Sequence, residues 1–294
     1  MYVIRLNEDG KKQDMFKLAQ SEENNIVSVT ASKVEGGRYI FTGTYSDRST
    51  SASKGLFICR AKDSKVDFIK YHKFLDLKNF LTYLPEKKQE KIEKKKERKE
   101  EKGKELKYQY LIAGHDVVHA GDDYIYFGEA YYPTYRRESY MTTETVNGQT
   151  RTVTRYRTVF DGFRYTHAVI VKFDSQGNLK WDETFEMWPA YKPFHVKRFI
   201  SIAEKNEHQL KLVFASRSKI TSQTVGFNGR IEKDFESETI ETQYEGDKHK
   251  WTYSNIDYWY GRYFLAYGSA KIKNQESAKG DRKRKVFFIS KVGY

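Results

Sequence analysis

The feature that most constrains this chain is a repeat of paired strand patterns. One type of unit is an alternating strand, a polar turn and a second strand with a late aromatic residue, and it covers residues 2–18, 56–74, 169–185 and 224–235. A second type carries a small residue in its second strand and covers residues 26–46, 115–132, 199–218 and 254–272. Turn pairs such as Asn228-Gly229 tolerate the left-handed backbone of tight hairpins. The repeat therefore predicts an all-β chain of consecutive hairpins.

The spacing of the units indicates the architecture. Ala215 and Gly268, the small residues of two successive units, are 53 positions apart, whereas Gly128 and Ala215 are 87 apart. Insertions at 76–107 and 134–164 account for the long intervals. Four strands that recur about every 53 residues predict a β-propeller of four-stranded antiparallel blades, with four or five blades visible. An irregular β-sandwich is the alternative, although sandwiches seldom keep one period.

One hairpin also resembles a known family. The stretch AVIVKFDSQGNLKWDETF carries Lys172, Asp174, Gly177 and Trp181 in the order of a K-D-x-x-G-x-x-x-W pattern. This pattern resembles the outer hairpin of bacterial β-propellers with PQQ-like or SBBP-like repeats. The resemblance implies a propeller fold, frequent export and, for most members, no enzymatic activity. It implies no cofactor, because no pattern for binding a quinone is visible.

The repeat does not determine whether the chain is a whole propeller domain, nor in which cellular compartment it lies. Residues 1–294 form either a single propeller domain or a fragment of one. Residues 1–18 close a small ring by pairing with 250–294, or the natural protein continues further. The start, MYVIRLNEDGKKQ, is not typical of a signal peptide, because its apolar stretch is short and acidic residues follow. The sequence therefore predicts a cytoplasmic protein if the chain is complete and a periplasmic or cell-surface protein if it is a fragment.

Charge and cysteine content narrow the function classes. The formal net charge of +13 allows contact with nucleic acid, anionic lipid or acidic glycan without selecting one of them. No apolar run approaches the roughly 20 residues that a membrane helix needs. Cys59 is the single cysteine, so no disulfide forms within the chain. It lies in an alternating strand, which predicts a core residue rather than a nucleophile.

The first insertion, 76–107, has two different helical patterns. Leu77, Phe80, Leu81 and Leu84 follow the spacing of one apolar helical stripe. After Pro85 the segment consists of strong helix formers with alternating charges. This pattern predicts a solvated charged helix, and its many acidic residues argue against tight phosphate binding.

The second insertion, 134–164, predicts a long β-hairpin arm. Asn147-Gly148 is a strong hairpin signal, and a two-residue turn there pairs positions that sum to 295. This register sets Glu144 against Arg151, Glu138 against Arg157 and Tyr140 against Arg155, which gives two ion pairs and one cation–π pair on one face. Such a ribbon cannot bury itself alone, so we expect it to contact either the rest of the protein or a partner.

Aromatic clusters provide the candidate binding residues. Exposed rings near a propeller mouth stack on sugars or anchor a protein ligand, although inter-blade packing explains many rings. A further cluster, from Trp251 to Tyr260, belongs to the last blade. The candidate set for ligand or partner binding combines the arm with the Pro-bounded loop MWPAYKPF and consists of Tyr131, Tyr132, Tyr135, Tyr140, Arg155, Tyr156, Trp188 and Tyr191.

Catalytic, metal and cofactor residues are not predicted. His115 and His119 have the spacing of a helical metal pair, but they lie in a strand pattern that separates their side chains. The basic run KGDRKRK at 279–285 joins two predicted strands and indicates a solvated loop. We therefore predict a non-catalytic scaffold or recognition module for protein partners. A glycan-binding or glycan-cleaving propeller at the cell envelope is the alternative, and nucleic acid is the disfavoured partner.

Overall fold

The structure, a computed structural model, describes residues 1–18, 24–34, 36–47, 52–106, 108–206, 208–274 and 283–294, without the side chains of residues 146, 205, 233 and 234. The described residues form eighteen strands in five antiparallel sheets and one α-helix. The prediction of an all-β chain is confirmed. No helix in these ranges is long and apolar enough to span a membrane.

The first two sheets come from residues 2–73. Sheet I is the hairpin of β1 (Tyr2–Leu6) and β2 (Lys12–Lys17). Sheet II has the order β3-β4-β5-β6, and its strands are Asn25–Val34, Arg38–Ser46, Gly55–Lys62 and Lys65–Lys73. The turn residues Asp63 and Ser64 have φ values of 46° and 64°, which the left-handed turn of the β5–β6 hairpin requires.

The other three sheets follow in chain order. Sheet III is built on β9 (Asp123–Val146) and β10 (Gln149–Phe173), with β11 (Leu179–Glu186) on one side and the short strands β7 (Leu111–Gly114) and β8 (Val118–Ala120) on the other. Sheet IV has the order β12-β13-β14-β15, and its strands are Ile200–Asn206, Gln209–Ser216, Lys219–Gly226 and Ile231–Thr239. Sheet V has the order β16-β17-β18, and its strands are Asp247–Tyr260, Tyr263–Asn274 and Lys283–Gly293.

Each sheet packs on the next through an apolar cluster. Sheets I and II share Phe16, Phe41 and Phe57; sheets II and III share Ile58, Tyr126 and Val169; sheets III and IV share Phe127, Ile170 and Leu212; sheets IV and V share Val213, Ala215 and Phe264. Burying one face of each antiparallel sheet against its neighbour supplies the main stabilisation of such a stack.

Two turn glycines allow a hairpin of one sheet to pack closely on the preceding sheet. A Cβ on Gly177 would lie 2.6 Å from the Phe68 ring of sheet II, and one on Gly229 would lie 2.8 Å from the Trp181 ring of sheet III. The Trp181 indole also donates to the Phe227 carbonyl oxygen at 3.0 Å. The motif residues Gly177 and Trp181 therefore join neighbouring sheets, which is a structural role.

The pairing of residues 1–18 with 250–294 is not found among the described strands. The strands β1 and β2 pair only with each other, and β18 pairs only with β17. No closed propeller or barrel is formed by the described residues. The physical reason is that the β1–β2 hairpin packs on sheet II instead, where the Phe16 ring lies against Phe41 with the centroids 6.2 Å apart.

The apolar part of the first insertion differs from its prediction. A short 3-10 helix, Phe74–Asp76, is followed by turns over residues 77–84, and only the charged part forms a helix, α1 (Glu86–Glu100). Phe80 is fully buried and stacks on Phe74 with the ring centroids 4.6 Å apart. The Asp182 carboxylate accepts the backbone N–H groups of residues 78 and 79 at 2.9 and 2.6 Å. These tertiary contacts hold the segment as turns, so the predicted apolar helix is wrong.

The charged helix and the buried cysteine agree with the sequence. No residue of α1 is buried, as expected for a helix that is polar all round. Cys59 is buried in β5, and burial together with Asp67 raises the pKa of its thiol to about 12. The basic run at 279–285 lies partly outside the described residues.

Candidate functional site

The long arm is an extension of the two central strands of sheet III. The strands β9 and β10 have 24 and 25 residues, and they pair from Val146↔Gln149 at the turn to Tyr135↔Phe160 near the base. Every pair in this stretch has the predicted register. Asn147 and Gly148 have φ values of 53° and 78°, so the turn has the left-handed backbone that fixes the register.

One face of the arm, the charged face, carries both of its glutamates. Glu138 contacts Arg157 at 3.2 Å and Arg136 at 2.5 Å. Glu144 contacts Arg151 at 3.7 Å and also pairs with Arg155. The predicted cation–π pair of Tyr140 with Arg155 is not formed; the Arg157 guanidinium lies over Tyr140 at 5.8 Å instead, because Arg155 turns to Glu144.

The other face, which we call the uncharged face because it carries no ion pair of the kind just described, lies open to solvent. Tyr156 and Met141 are 57% and 78% exposed, and Tyr135 is exposed as well. Arg137 is the single charged residue on this face, and its guanidinium stacks on the Tyr156 ring at 3.8 Å. Apart from Phe160 at the base, the remaining positions of the face are small hydroxyl side chains, namely Ser139, Thr143, Thr145, Thr150, Thr152, Thr154 and Thr158.

The base of the arm is fixed to the Pro-bounded loop after β11. Lys192 donates to the Asp161 carboxylate at 2.6 Å, and the Phe163 N–H donates to the Pro193 carbonyl oxygen at 2.8 Å. Phe160 packs edge-on against Phe194 at 5.7 Å. A register shift between Phe160 and Phe163 marks this point on the arm. The arm is therefore anchored at its base and uncovered along its uncharged face.

An aromatic cleft adjoins this base. Its volume is about 370 Å³, and its lining includes Tyr83, Arg164, Trp188, Tyr191 and Lys192. Half of the Trp188 surface is exposed. The first insertion, the arm base and the Pro-bounded loop thus meet around one opening, although the three segments are far apart in the sequence.

Tyr191 lies deeper in this cleft than Trp188 and is held in a hydrogen-bonded group. Its hydroxyl lies 2.9 Å from the Tyr253 hydroxyl, and the Lys197 ammonium donates to it at 2.9 Å. Burial, with the bond to Tyr253 as the next cause, raises the pKa of the Tyr191 phenol. The ring therefore stays neutral at ordinary pH and offers an uncharged stacking surface.

The structure distributes the candidate residues over three environments. Tyr135, Tyr140, Arg155 and Tyr156 lie on the arm, while Trp188 and Tyr191 line the cleft at its base. Tyr132 is exposed where the arm begins. Tyr131 is 9% exposed and stacks on Tyr165 at 5.1 Å, so it packs in the cluster between sheets III and IV.

A buried imidazole lies beneath the aromatic cleft. The His167 ring stacks on Tyr83 at 3.9 Å between centroids, and its Nδ1 lies 3.0 Å from the Thr166 hydroxyl. Burial lowers the pKa of His167 to about 3. The side chain is therefore neutral at physiological pH, and the aromatic rings around it provide no counter-charge.

Sequence reasoning missed a second polar group, built on Glu129. This fully buried carboxylate accepts the Phe199 and Ile200 N–H groups at 2.9 Å and lies 2.8 Å from His115 Nε2. The first strand of sheet III is interrupted between β7 and β8, and this break places His115 in a cleft of about 530 Å³ with Arg198 and Asp257.

The two histidines of the His115–His119 pair have separate surroundings. His119 lies in β8, with its ring 5.6 Å from Tyr124, whereas His115 is bonded to Glu129. Within the described ranges, no group of three or more His, Cys, Asp or Glu side chains is placed to hold a metal ion.

Comparison with known proteins identifies no family for this chain. The sequence matches no protein-family model and no curated protein. A crystal structure described as a "putative hydrolase" from Bacteroides ovatus ATCC 8483 aligns with 88% of this chain and 68% of its own, at 9% identity and a TM-score of 0.29. A similarity at this level carries no argument about fold or function, and the resemblance to PQQ-like or SBBP-like repeats stays a prediction.

Proposed function

We propose that this protein is a non-catalytic recognition module that binds an acidic protein partner through the arm. The observation that carries the proposal is the open uncharged face, where Tyr135, Met141 and Tyr156 are exposed. A two-stranded ribbon has no core of its own and is marginally stable in water, so a partner that covers one face supplies the missing burial. Large exposed aromatic side chains are frequent anchors of protein interfaces.

Charge selects the kind of partner. Residues 135–158 contain five arginines and two glutamates, a net charge of +3. Both glutamates are already paired within the charged face, as described for Glu138 and Glu144. One of the arginines, Arg137, lies on the open face itself, and the other four lie on the charged face of the same thin ribbon. The excess of cations therefore favours an acidic protein surface and accelerates its association.

The fold itself supports a scaffold role. We propose that sheets II to V are blades of a propeller, because each is a meander of neighbouring antiparallel strands that packs on the next one. In that arrangement the arm extends from the two central strands of one blade. A rigid stack of sheets would hold the arm at a fixed angle and limit the entropy lost on binding.

A peptide library displayed on phage and selected against the whole chain tests the proposal. We expect enrichment of peptides that combine acidic and aromatic residues, with binding weakened at least tenfold by Tyr156→Ala or Met141→Ala. Ile231→Ala is the matched control, since Ile231 is also an exposed apolar residue but lies on sheet IV. Selected peptides whose binding ignores the arm variants would refute the proposal. Competition by single-stranded DNA, with steep salt dependence, would indicate a nucleic-acid partner instead.

A glycan ligand is the second candidate, and the aromatic cleft favours it. Trp188 is half exposed at a cleft that also presents Arg164 and Tyr83, which combines a stacking ring with polar donors. A glycan array should then show binding that Trp188→Ala abolishes and Tyr156→Ala leaves intact. A blank array, or binding that Trp188→Ala does not change, would remove this candidate.

A further inference from the structure

The third strand of sheet V lies at an edge of its sheet, whereas the third strands of sheets II and IV are internal. In sheets II and IV the third strand pairs on both sides, because β5 lies between β4 and β6 and β14 lies between β13 and β15. In sheet V the third strand, β18, pairs with β17 alone. The backbone groups along the outer edge of β18 therefore have no strand partner among the described residues, and such an edge accepts an added strand.

The exposed side chains of β18 indicate which side chains of an added strand they would contact. Phe287 and Ile289 are 68% and 64% exposed, and they lie on one face because β-strand side chains alternate. Their cross-strand partners on β17 are Ser269 and Tyr267, which lie on the same face. The face is thus an apolar pair beside an open edge, whereas Phe288 points the other way and packs on the sheet IV–V cluster.

Lysines flank the apolar pair on the same face. The alternation places Lys285 before Phe287 and Lys291 after Ile289, and both lysines are exposed. The Lys291 ammonium lies 3.6 Å from the Tyr263 ring centroid and 2.9 Å from the Tyr260 hydroxyl. Opposite charges on facing positions stabilise a strand pair, and like charges destabilise it.

We infer that the outer edge of β18 binds an extended acidic peptide segment of a partner protein by strand addition. The bound segment carries one acidic residue opposite Lys285 and another opposite Lys291, whose ammonium turns from the Tyr260 hydroxyl towards the added strand. Two large apolar residues lie between them at alternating positions, opposite Phe287 and Ile289. Backbone hydrogen bonds to β18 supply affinity, and the alternating side chains supply specificity. This site is separate from the arm, so its test does not depend on the function proposed above.

A designed peptide tests the inference directly. The probe is a fluorescein-labelled heptapeptide, Glu-Thr-Phe-Thr-Ile-Thr-Glu, whose binding to the whole chain is followed by anisotropy. Its controls are a scrambled peptide that lacks the alternation and an N-methylated version whose backbone cannot pair. We expect binding of the probe alone, with slower amide hydrogen exchange in β18. Equal binding of the scrambled or N-methylated peptide, or no binding of the probe, would overturn the inference.

Charge exchange separates a specific pairing from general attraction to a basic protein. The double variant Lys285→Glu/Lys291→Glu should weaken binding of the probe at least about fivefold, since two attractions between facing side chains become repulsions. The same variant should bind the charge-reversed peptide Lys-Thr-Phe-Thr-Ile-Thr-Lys better than the unchanged protein does. Met141→Lys on the arm is the control and should leave probe binding unchanged. Failure of the reversed peptide to recover binding, or self-association of the chain that blocks the probe, would also overturn the inference.

Discussion

Removal of the Glu129 carboxylate is expected to open the junction between sheets III and IV. Glu129→Ala leaves the N–H groups of Phe199 and Ile200 without the acceptor that now lies at 2.9 Å. Both residues are buried, so the carboxylate is replaceable only by a water that enters from the cleft lined by His115 and Ile200. An unpaired buried donor costs about 1–3 kcal/mol, and two donors therefore cost about 2–6 kcal/mol. Typical domain stabilities are about 5–15 kcal/mol, so this loss is a large fraction of the total.

Urea unfolding followed by tryptophan fluorescence measures this effect. Trp181 is a suitable reporter because its ring lies against the Gly229 turn across the same junction. Glu129→Gln keeps a carbonyl acceptor and should lose less stability than Glu129→Ala. Glu204→Ala is the control, since Glu204 is exposed on the same strand as Ile200 and should change the free energy of unfolding by less than about 0.5 kcal/mol. A Glu129→Ala variant within about 1 kcal/mol of the unchanged protein would refute the reasoning.

Two further predictions concern buried groups. The pKa of His167 is about 3 in the folded protein, below the ordinary value of 6.5, so this residue contributes its full stability above pH 6.5 and loses it as the pH falls towards 3. The free energy of unfolding should therefore fall by roughly 1.4 kcal/mol per pH unit more in the unchanged protein than in His167→Phe between pH 6 and pH 4, and parallel curves would contradict this. Gly268→Ala places a Cβ 1.9 Å from the Tyr253 carbonyl oxygen and should cost about 1–3 kcal/mol or more, whereas Gly114→Ala, with its nearest atom at 3.4 Å, should cost clearly less in the same urea assay. Equal losses for the two glycine variants would argue against the backbone clash.

Local signals in the sequence were sufficient for the hairpins. The Asn147-Gly148 turn fixed the register of the arm, and all pairs down to Tyr135↔Phe160 follow from it because a tight turn leaves no freedom of alignment. Two of the small residues in the repeat, Gly43 and Gly268, lie where a strand approaches closely, since each faces a backbone carbonyl oxygen of the neighbouring strand. These features depend on residues that are close along the chain.

Local patterns were insufficient where another segment competes for the same side chains. The stripe from Leu77 to Leu84 has helical spacing, but the Asp182 carboxylate binds its backbone and the segment forms turns. Likewise, Arg155 faces Tyr140 across the ribbon and still pairs with Glu144, because an ion pair attracts the guanidinium more strongly than a ring does. In both cases the local pattern did not reveal the carboxylate that binds most strongly, which is Asp182 for the apolar stripe and Glu144 for Arg155.

The sequence by itself determined the antiparallel hairpins, the arm register, the charged helix and the buried position of Cys59, because period, turn chemistry and charge act over a few residues. The tertiary structure alone decided which hairpins pack together, that Glu129 joins His115 to residues 199 and 200, and that no described strand pairs with the outer edge of β18. Glu129 and Phe199 are 70 positions apart, and their contact exists only after two sheets have stacked. Stacking depends on the total apolar surface of each sheet, which no short segment reveals.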